Sequence, residues 1–388
     1  MFRTRVSARL GAARIRHGSH DQTDHIAPDV SDAFRTLFRE HMLDADRTAA
    51  ERGEGGGTLV DSWEWARRVL EGAGLDPGRL AGLGPLSGGT YNTVEELLLT
   101  DGTRYVLKVP PASTVPGLRY ERELLVSEAE FYRAAAVAEV AAPHVVALGE
   151  DTAVPHLLMT ACPGEPWDGS VTEAERAPLR RELGRQVARL HTVTGPGFGY
   201  PSGALGPLAP DWRTAFTVMI EAILDDARDY GARLPRSVDQ VASTLKAGFP
   251  ALDEVTVPAL VHFDLWDGNI LLDRRADGEL GIGGLIDGER MFWGDPLADF
   301  VSLALLGDIK KDEAFLAGYR EEGGRAEFDV PARVRLALYR AYLYLIMLTE
   351  TVPRAVDDEK ERWVQSAVAP ELVAALDEIE ALARVAGA

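Results

Sequence analysis

Between positions 262 and 269 the chain reads His262-Phe263-Asp264-Leu265-Trp266-Asp267-Gly268-Asn269, and eighteen residues later Asp287 closes the apolar run Leu285-Ile286. An aspartate and an asparagine five apart in a polar loop, with a second aspartate at a strand end, suit phosphoryl transfer. That reaction needs a carboxylate to orient the attacking hydroxyl and accept its proton, and oxygen ligands for a cation on the nucleotide phosphates. Asp264 suits the first task. Asn269 and Asp287 suit the second, because Mg²⁺ prefers oxygen, keeps several waters and takes few protein ligands. Singly, each is an ordinary loop residue; the weight lies in their combination with Lys108. Only five of the 41 basic residues are lysines, and this one sits in the apolar run Tyr105-Val106-Leu107-Lys108-Val109. A strand lysine that reaches the α and β phosphates needs a carboxylate to hold it. Glu128 is the best placed helical acid, with Glu121, Glu123 and Glu130 as alternatives. The upstream loop Ser87-Gly88-Gly89-Thr90-Tyr91-Asn92 can bring backbone N–H groups against phosphates because glycine carries no Cβ, although Gly-Gly also marks a plain hairpin.

The elements that must position these residues follow from periodicity. After a helix near 59–72, residues 79–109 read as strands joined by turns. Thr100-Asp101-Gly102-Thr103 between two apolar runs is a hairpin signal. A helix fits 118–137, and His156 to Met159 reads as another strand. Pro163-Gly164-Glu165-Pro166 breaks the chain and marks a lobe boundary. Beyond it helices dominate, with apolar stripes at Leu179, Leu183, Val187 and Leu190 and at Trp212, Phe216, Ile220, Ile223 and Ala227. Further helices fit 296–306, 312–322, 331–351 and 360–383, around one β island at 258–289. Asp295-Pro296 reads as an N-cap before a first-turn proline. Asp299 reads as a loop anchor and His191 as a core hydrogen-bonding group.

Taken in order and spacing, these residues resemble the aminoglycoside phosphotransferase family of small-molecule kinases. The resemblance runs from about Leu83 to Arg354. It is carried by Leu86 to Asn92, Tyr105 to Lys108, Glu128, Leu157 to Gly164, Leu190-His191, His262 to Asn269, Ile286-Asp287 and Gly294 to Asp299. It implies an α+β, two-lobed protein-kinase-like fold with a β-rich N-lobe and a mainly helical C-lobe. It further implies Asp264 as catalytic base, Asn269 and Asp287 as Mg²⁺ ligands, and Lys108 with Glu128 ordering the phosphates of ATP or GTP. Gly88, Gly89 and Thr90 would line the phosphates, and the backbone from Thr160 to Cys162 would meet the adenine. The departures favour a small-molecule kinase over a protein kinase. Phe263 stands where a protein kinase has Arg, Gly288-Glu289 stands where it has Phe-Gly, and no Gly-x-Gly-x-x-Gly loop is present. Family members commonly carry an aromatic residue after the metal Asp, so Gly288 leaves the packing of that edge open.

The whole chain has 388 residues and a net charge of −20, from 61 acidic and 41 basic residues. Such a field repels a phosphate backbone, so nucleic acid is not an expected partner. No run approaches the ~18 apolar residues of a membrane span. The single Cys162 excludes a disulfide framework, and a cytoplasmic address is the default. Residues 1–57 read as an N-terminal extension, with an Arg-rich start, an amphipathic stretch from Ser31 to Thr48 and a Gly-rich linker at 53–57. Residues 58–162 form the nucleotide lobe with its hinge, and 163–388 the helical lobe. The acceptor site is expected among Trp266, Glu289, Phe292, Trp293, Asp225, Asp226 and Asp229, because acids beside aromatics suit a cationic sugar. An antibiotic such as an aminoglycoside is the first acceptor. Choline-, sugar- or amino-alcohol-type metabolites come next, and a catalytically silent nucleotide-binding scaffold is the contrasting class.

Overall fold

The structure, a computed structural model, describes residues 62–86, 92–149 and 154–386. The N-terminal extension and the glycine-loop residues Gly88, Gly89 and Thr90 lie outside the described residues.

A helix, α1 (Ser62–Gly72), precedes five strands: β1 (Leu80–Pro85), β2 (Thr93–Leu99), β3 (Arg104–Val109), β4 (Val145–Gly149) and β5 (His156–Thr160). They form one antiparallel sheet in the order β1-β2-β3-β5-β4. The Asp101-Gly102 turn joins β2 to β3 as expected, with Gly102 at φ 87°, a conformation that suits glycine. Val69, Leu70, Leu97, Leu99, Leu107 and Leu158 build a small core between α1 and one sheet face. Against the other face lies α2 (Leu124–Val137), in which Leu124, Leu125, Ala129, Phe131 and Tyr132 join the larger core.

The expected helix over 118–137 is interrupted. Residues 119–121 make a single 3-10 turn, and Glu123 adopts a left-handed φ of 61° before α2 begins. The cause is tertiary. The Arg119 N–H donates to Asp226 at 2.9 Å, and Glu121 accepts from the Leu118 N–H at 2.8 Å and from Arg354 at 2.6 Å. These bonds tie the segment to the second lobe instead of to the helix axis.

That second lobe holds α3 (Glu173–Leu190), α4 (Trp212–Asp229), α5 (Val238–Gly248), α6 (Asp299–Leu303), α7 (Glu313–Glu321), α8 (Val330–Thr349) and α9 (Asp358–Ala386). Both apolar stripes read from the sequence are buried, as is Tyr342 to Leu348 within α8. Helix α5 was not legible from apolar spacing, yet Ser237 and Gln240 form a reciprocal capping box at its start. The helix expected over 296–306 shrinks to a 3-10 turn at 296–298 followed by α6. It ends because Leu306 turns left-handed (φ 57°) and the Gly307 N–H closes on the Ala304 carbonyl at 2.7 Å.

Two small sheets complete the lobe. Strands β6 (Glu165–Pro166), β8 (Ile270–Arg274) and β9 (Leu280–Leu285) form one, and β7 (Ala259–Val261) with β10 (Phe292–Gly294) the other. Among the described residues no helix is long and apolar enough to cross a membrane.

Candidate active site

Lys108 lies on β3, flanked by Val94 of β2 and Leu157 of β5. Its ammonium donates to both oxygens of Glu128, at 2.9 and 3.0 Å, and also to Asp287. Glu289 stands 3.7 Å away. Among the four acids considered, Glu128 is therefore the one against Lys108. Glu121 is engaged by Leu118 and Arg354, and Glu123 is exposed at the start of α2. Burial alone would push the Lys108 ammonium down. The carboxylates of Asp287, Glu128 and Glu289 outweigh it and hold the group well above its ordinary value.

The three acids divide by distance from that ammonium. Burial would raise Asp287, but contact with Lys108 leaves it below the usual carboxylate range. Glu128, fully enclosed, is pushed upward by burial despite Lys108. Glu289, the farthest, is pushed by burial up to about 8. It accepts a 2.6 Å hydrogen bond from the amide of Asn92, the residue that ends the glycine loop. Glu289, expected on the acceptor side, thus faces Lys108 and Asn92 across the cleft between the lobes.

Asp287 itself adopts a left-handed conformation, φ 62° and ψ 43°. Gly288 follows because there is no room for more. A Cβ there would lie 2.3 Å from the Phe131 ring of α2. That ring also meets His262 edge-on, with centroids 4.7 Å apart. The edge left open by Gly288 in the sequence is therefore filled by an aromatic side chain from α2.

The loop from His262 to Asn269 is suspended from its backbone. Asp299 accepts the His262 and Phe263 N–H groups at 3.2 and 2.6 Å, and the Ser302 hydroxyl accepts the Leu265 N–H at 3.0 Å. Phe263 takes a φ of 65°, so the chain reverses sharply before Asp264. The His262 ring bonds the Ile286 carbonyl through Nε2 (2.9 Å) and accepts the Asp264 N–H at Nδ1 (3.2 Å), which assigns the neutral Nε2–H tautomer. Asn269 donates its amide N–H to the Asp264 carbonyl at 2.8 Å. That bond fixes the amide and leaves Oδ1 as its acceptor atom. His191 bonds Tyr319 at 2.7 Å and Asp299 at 2.9 Å, a structural role. Asp295 caps its 3-10 turn by accepting the Leu297 N–H.

Beside Asp264 lies a residue that the sequence reading passed over. Arg290 Nε is 3.7 Å from Asp264 Oδ2, and its Nη2 donates to Glu350 at 3.0 Å. Glu350 also meets Arg354 at 3.1 Å, and Arg354 holds Glu121. Asp264 is raised by burial, with the Arg290 guanidinium opposing. The available signal for Arg290 was its place three residues after Asp287.

The remaining acceptor candidates fall elsewhere. Trp293 and Phe292 are core residues of β10, with Gly195 packed under the Trp293 ring. Asp226 and Asp229 pair with Arg119, and Asp225 pairs with Arg228. Trp266 is half-buried in the Asp264 loop, folded over Gly268. At the hinge, the Thr160 and Ala161 N–H groups donate to the His144 and Arg104 carbonyls at 2.9 and 3.1 Å. Cys162 packs under Gly284, where a Cβ would come within 2.6 Å of its sulfur, and burial raises its thiol to about 11.

A β-rich lobe carrying a lysine–glutamate pair, over a helical lobe carrying the Asp264 loop and Asp287, is the protein-kinase-like architecture. The sequence matches the model of the phosphotransferase enzyme family over residues 82–339; the chain belongs to that family. No curated protein sequence matches it significantly. Solved structures share the fold. A candidate fructosamine-3-kinase from Thermobifida fusca gives a TM-score of 0.60 at 23% identity, over 83% of this chain and 99% of that one. A thermostable mutant of aminoglycoside phosphotransferase APH(4)-Ia, in a ternary complex with AMP-PNP and hygromycin B, gives 0.52 at 19%, over 84% and 98%. A macrolide 2'-phosphotransferase from Brachybacterium faecium gives 0.50 at 19%, over 79% and 98%.

Proposed function

We propose that this phosphotransferase moves the γ-phosphoryl group of ATP or GTP to a hydroxyl of a small molecule. One observation carries the reading. Lys108 of the sheet lobe bonds both Glu128 and Asp287, the latter 179 residues away, which supports a strand ammonium held at the seam of the lobes within reach of phosphate oxygens.

The site's donor set fits Mg²⁺. Asn269 offers Oδ1 because its N–H is committed to Asp264, and Asp287 offers a carboxylate. Both are hard oxygen donors. Asn269 and Asp287 would hold the ion, which when bound neutralises phosphate charge. The protein's own groups do the rest. Lys108, kept charged by its carboxylates, binds phosphate oxygens once they compete with Asp287. Asp264 accepts the acceptor's hydroxyl proton at a carboxylate oxygen. Arg290, 3.7 Å away, opposes the upward pull of burial on that carboxylate. The Cys162 N–H, without a hydrogen-bond partner among the described residues, is the hinge donor available to a purine edge.

For the acceptor, an antibiotic such as an aminoglycoside remains the first proposal, supported by the family and by the aminoglycoside and macrolide phosphotransferases that share the fold. A second reading, a sugar-amine or amino-alcohol metabolite, is favoured by a specific observation. The acids expected to receive a polycation, Asp225, Asp226, Asp229 and Glu289, are engaged by Arg228, Arg119, Asn92 and Lys108. A panel of hydroxylated antibiotics, fructosamines and amino alcohols, screened for ADP release with Mg²⁺ and ATP, tests both. Nucleotide-induced stabilisation with no turnover on any acceptor would support a silent scaffold instead.

A further inference from the structure

We propose that Tyr132 is a positioning residue that locks the two carboxylate residues around Lys108 through a single buried hydroxyl. The inference rests on the nucleotide site read above and assigns a role to a residue outside its charged groups. The Tyr132 hydroxyl donates to Glu128 Oε1 at 2.7 Å and accepts the Asp287 N–H at 3.1 Å. Both roles are fixed by chemistry, since an ionised carboxylate can only accept and an amide N–H can only donate. One oxygen thereby ties the partner of Lys108 to the backbone of Asp287. Asp287 is left-handed, a conformation that a residue with a Cβ keeps only when its surroundings hold it.

The spacing on α2 makes this possible. Glu128, Phe131 and Tyr132 fall at i, i+3 and i+4, on one helical face. Glu128 meets Lys108, Phe131 seats against Gly288 and His262, and Tyr132 closes on the amide between them. The phenol is 1% exposed, so water cannot replace it. Burial beside Glu128 and Asp287 holds it well above its ordinary value and keeps its proton in place. Removing the hydroxyl leaves Glu128 one hydrogen bond short and the Asp287 N–H without an acceptor. Asp287 then loses its fixed presentation toward nucleotide, whereas Asp264, suspended from Asp299, keeps its own.

The test is Tyr132→Phe in the full chain, compared with wild type and with Leu376→Ala, a core truncation in α9. Nucleotide affinity is read by titrating ADP, with and without Mg²⁺, against thermal stability, and KM values are read with any acceptor that turns over. The expected result is a loss of ADP affinity on the order of tenfold to a hundredfold in Tyr132→Phe. KM for the acceptor should be unchanged, and Leu376→Ala should melt earlier with wild-type ADP affinity. Wild-type ADP affinity in Tyr132→Phe overturns the proposal, as does an equal loss in Leu376→Ala. If Tyr132→Phe does not fold, 4-aminophenylalanine at position 132 keeps the shape and the bond to Glu128 but accepts poorly from Asp287. Weakened ADP binding there supports the proposal, and wild-type binding overturns it. A wild type that binds no nucleotide overturns both this inference and the functional reading; normal wild-type binding with an indifferent Tyr132 variant overturns only this one.

Discussion

Replacing Lys108 with Met should leave the carboxylates of Glu128 and Asp287 without their ammonium partner. Lys108 is 6% exposed and Glu128 is 0% exposed, so water cannot solvate the Glu128 carboxylate left behind. Removing one partner of a buried, hydrogen-bonded ion pair costs about 3–5 kcal/mol. For a chain of this size the corresponding fall in Tm is about 6–10 °C, at ~2 °C per kcal/mol. The loss should depend on pH in a defined direction. Without the ammonium, Glu128 and Asp287 in the folded state sit above their unfolded values and take up protons on folding. Stability of the variant then falls as pH rises through that interval. Glu289, already raised to about 8, gives the wild type a slope of the same sign, so the difference between the two proteins is the diagnostic. Thermal melts at pH 5.5 and pH 8 measure it, and the gap should be clearly larger at pH 8. A gap of the same size at both values, or one below about 1 kcal/mol, would refute the reasoning by showing that Lys108 neutralises nothing.

Asp264→Asn should lower kcat by about 10²–10⁴ while leaving ADP affinity near wild type, as read by coupled ADP release and calorimetric titration; comparable turnover would remove Asp264 as the base. In the wild type, kcat/KM should rise with pH through a value above the ordinary aspartate range, because burial raises Asp264. Arg290→Gln should move that acid limb further up by removing the opposing charge, and an unmoved limb would exclude Arg290 from that role. Gly288→Ala should overpack against Phe131 and cost about 1–3 kcal/mol in a thermal melt. Phe131→Leu should recover part of that loss, which additive effects of the two changes would disprove.

That Lys108, Glu128 and Asp287 would come together, and Asp264 with Asn269, was legible because those residue types at those intervals are what phosphoryl transfer would demand. The five-residue spacing of Asp264 and Asn269 survives as a hydrogen bond between them. Lys108 stood out as a lysine in an apolar strand. Glu128 ranked first among its rivals as a helical acid, and its two bonds to Lys108 come from the structure. Arg290 and Tyr132 were not legible: an arginine and a tyrosine are ordinary in sequence, and only tertiary packing places them against Asp264 and Asp287. Tryptophan and phenylalanine at 292–293 misled for the opposite reason. Their type suits a sugar-binding wall, but strand pairing of β10 with β7 turns them into the core. The bend before α2 and the shortened α6 likewise came from long-range bonds that override local propensity.

The suspension of the Asp264 loop from Asp299 concentrates risk. One buried carboxylate receives two consecutive amides of that loop and the imidazole of His191 on α3's end, so three stretches distant along the chain share a single fastening. A survey of random inactivating changes should accordingly find a hot spot at this aspartate, which is itself fully buried in α6.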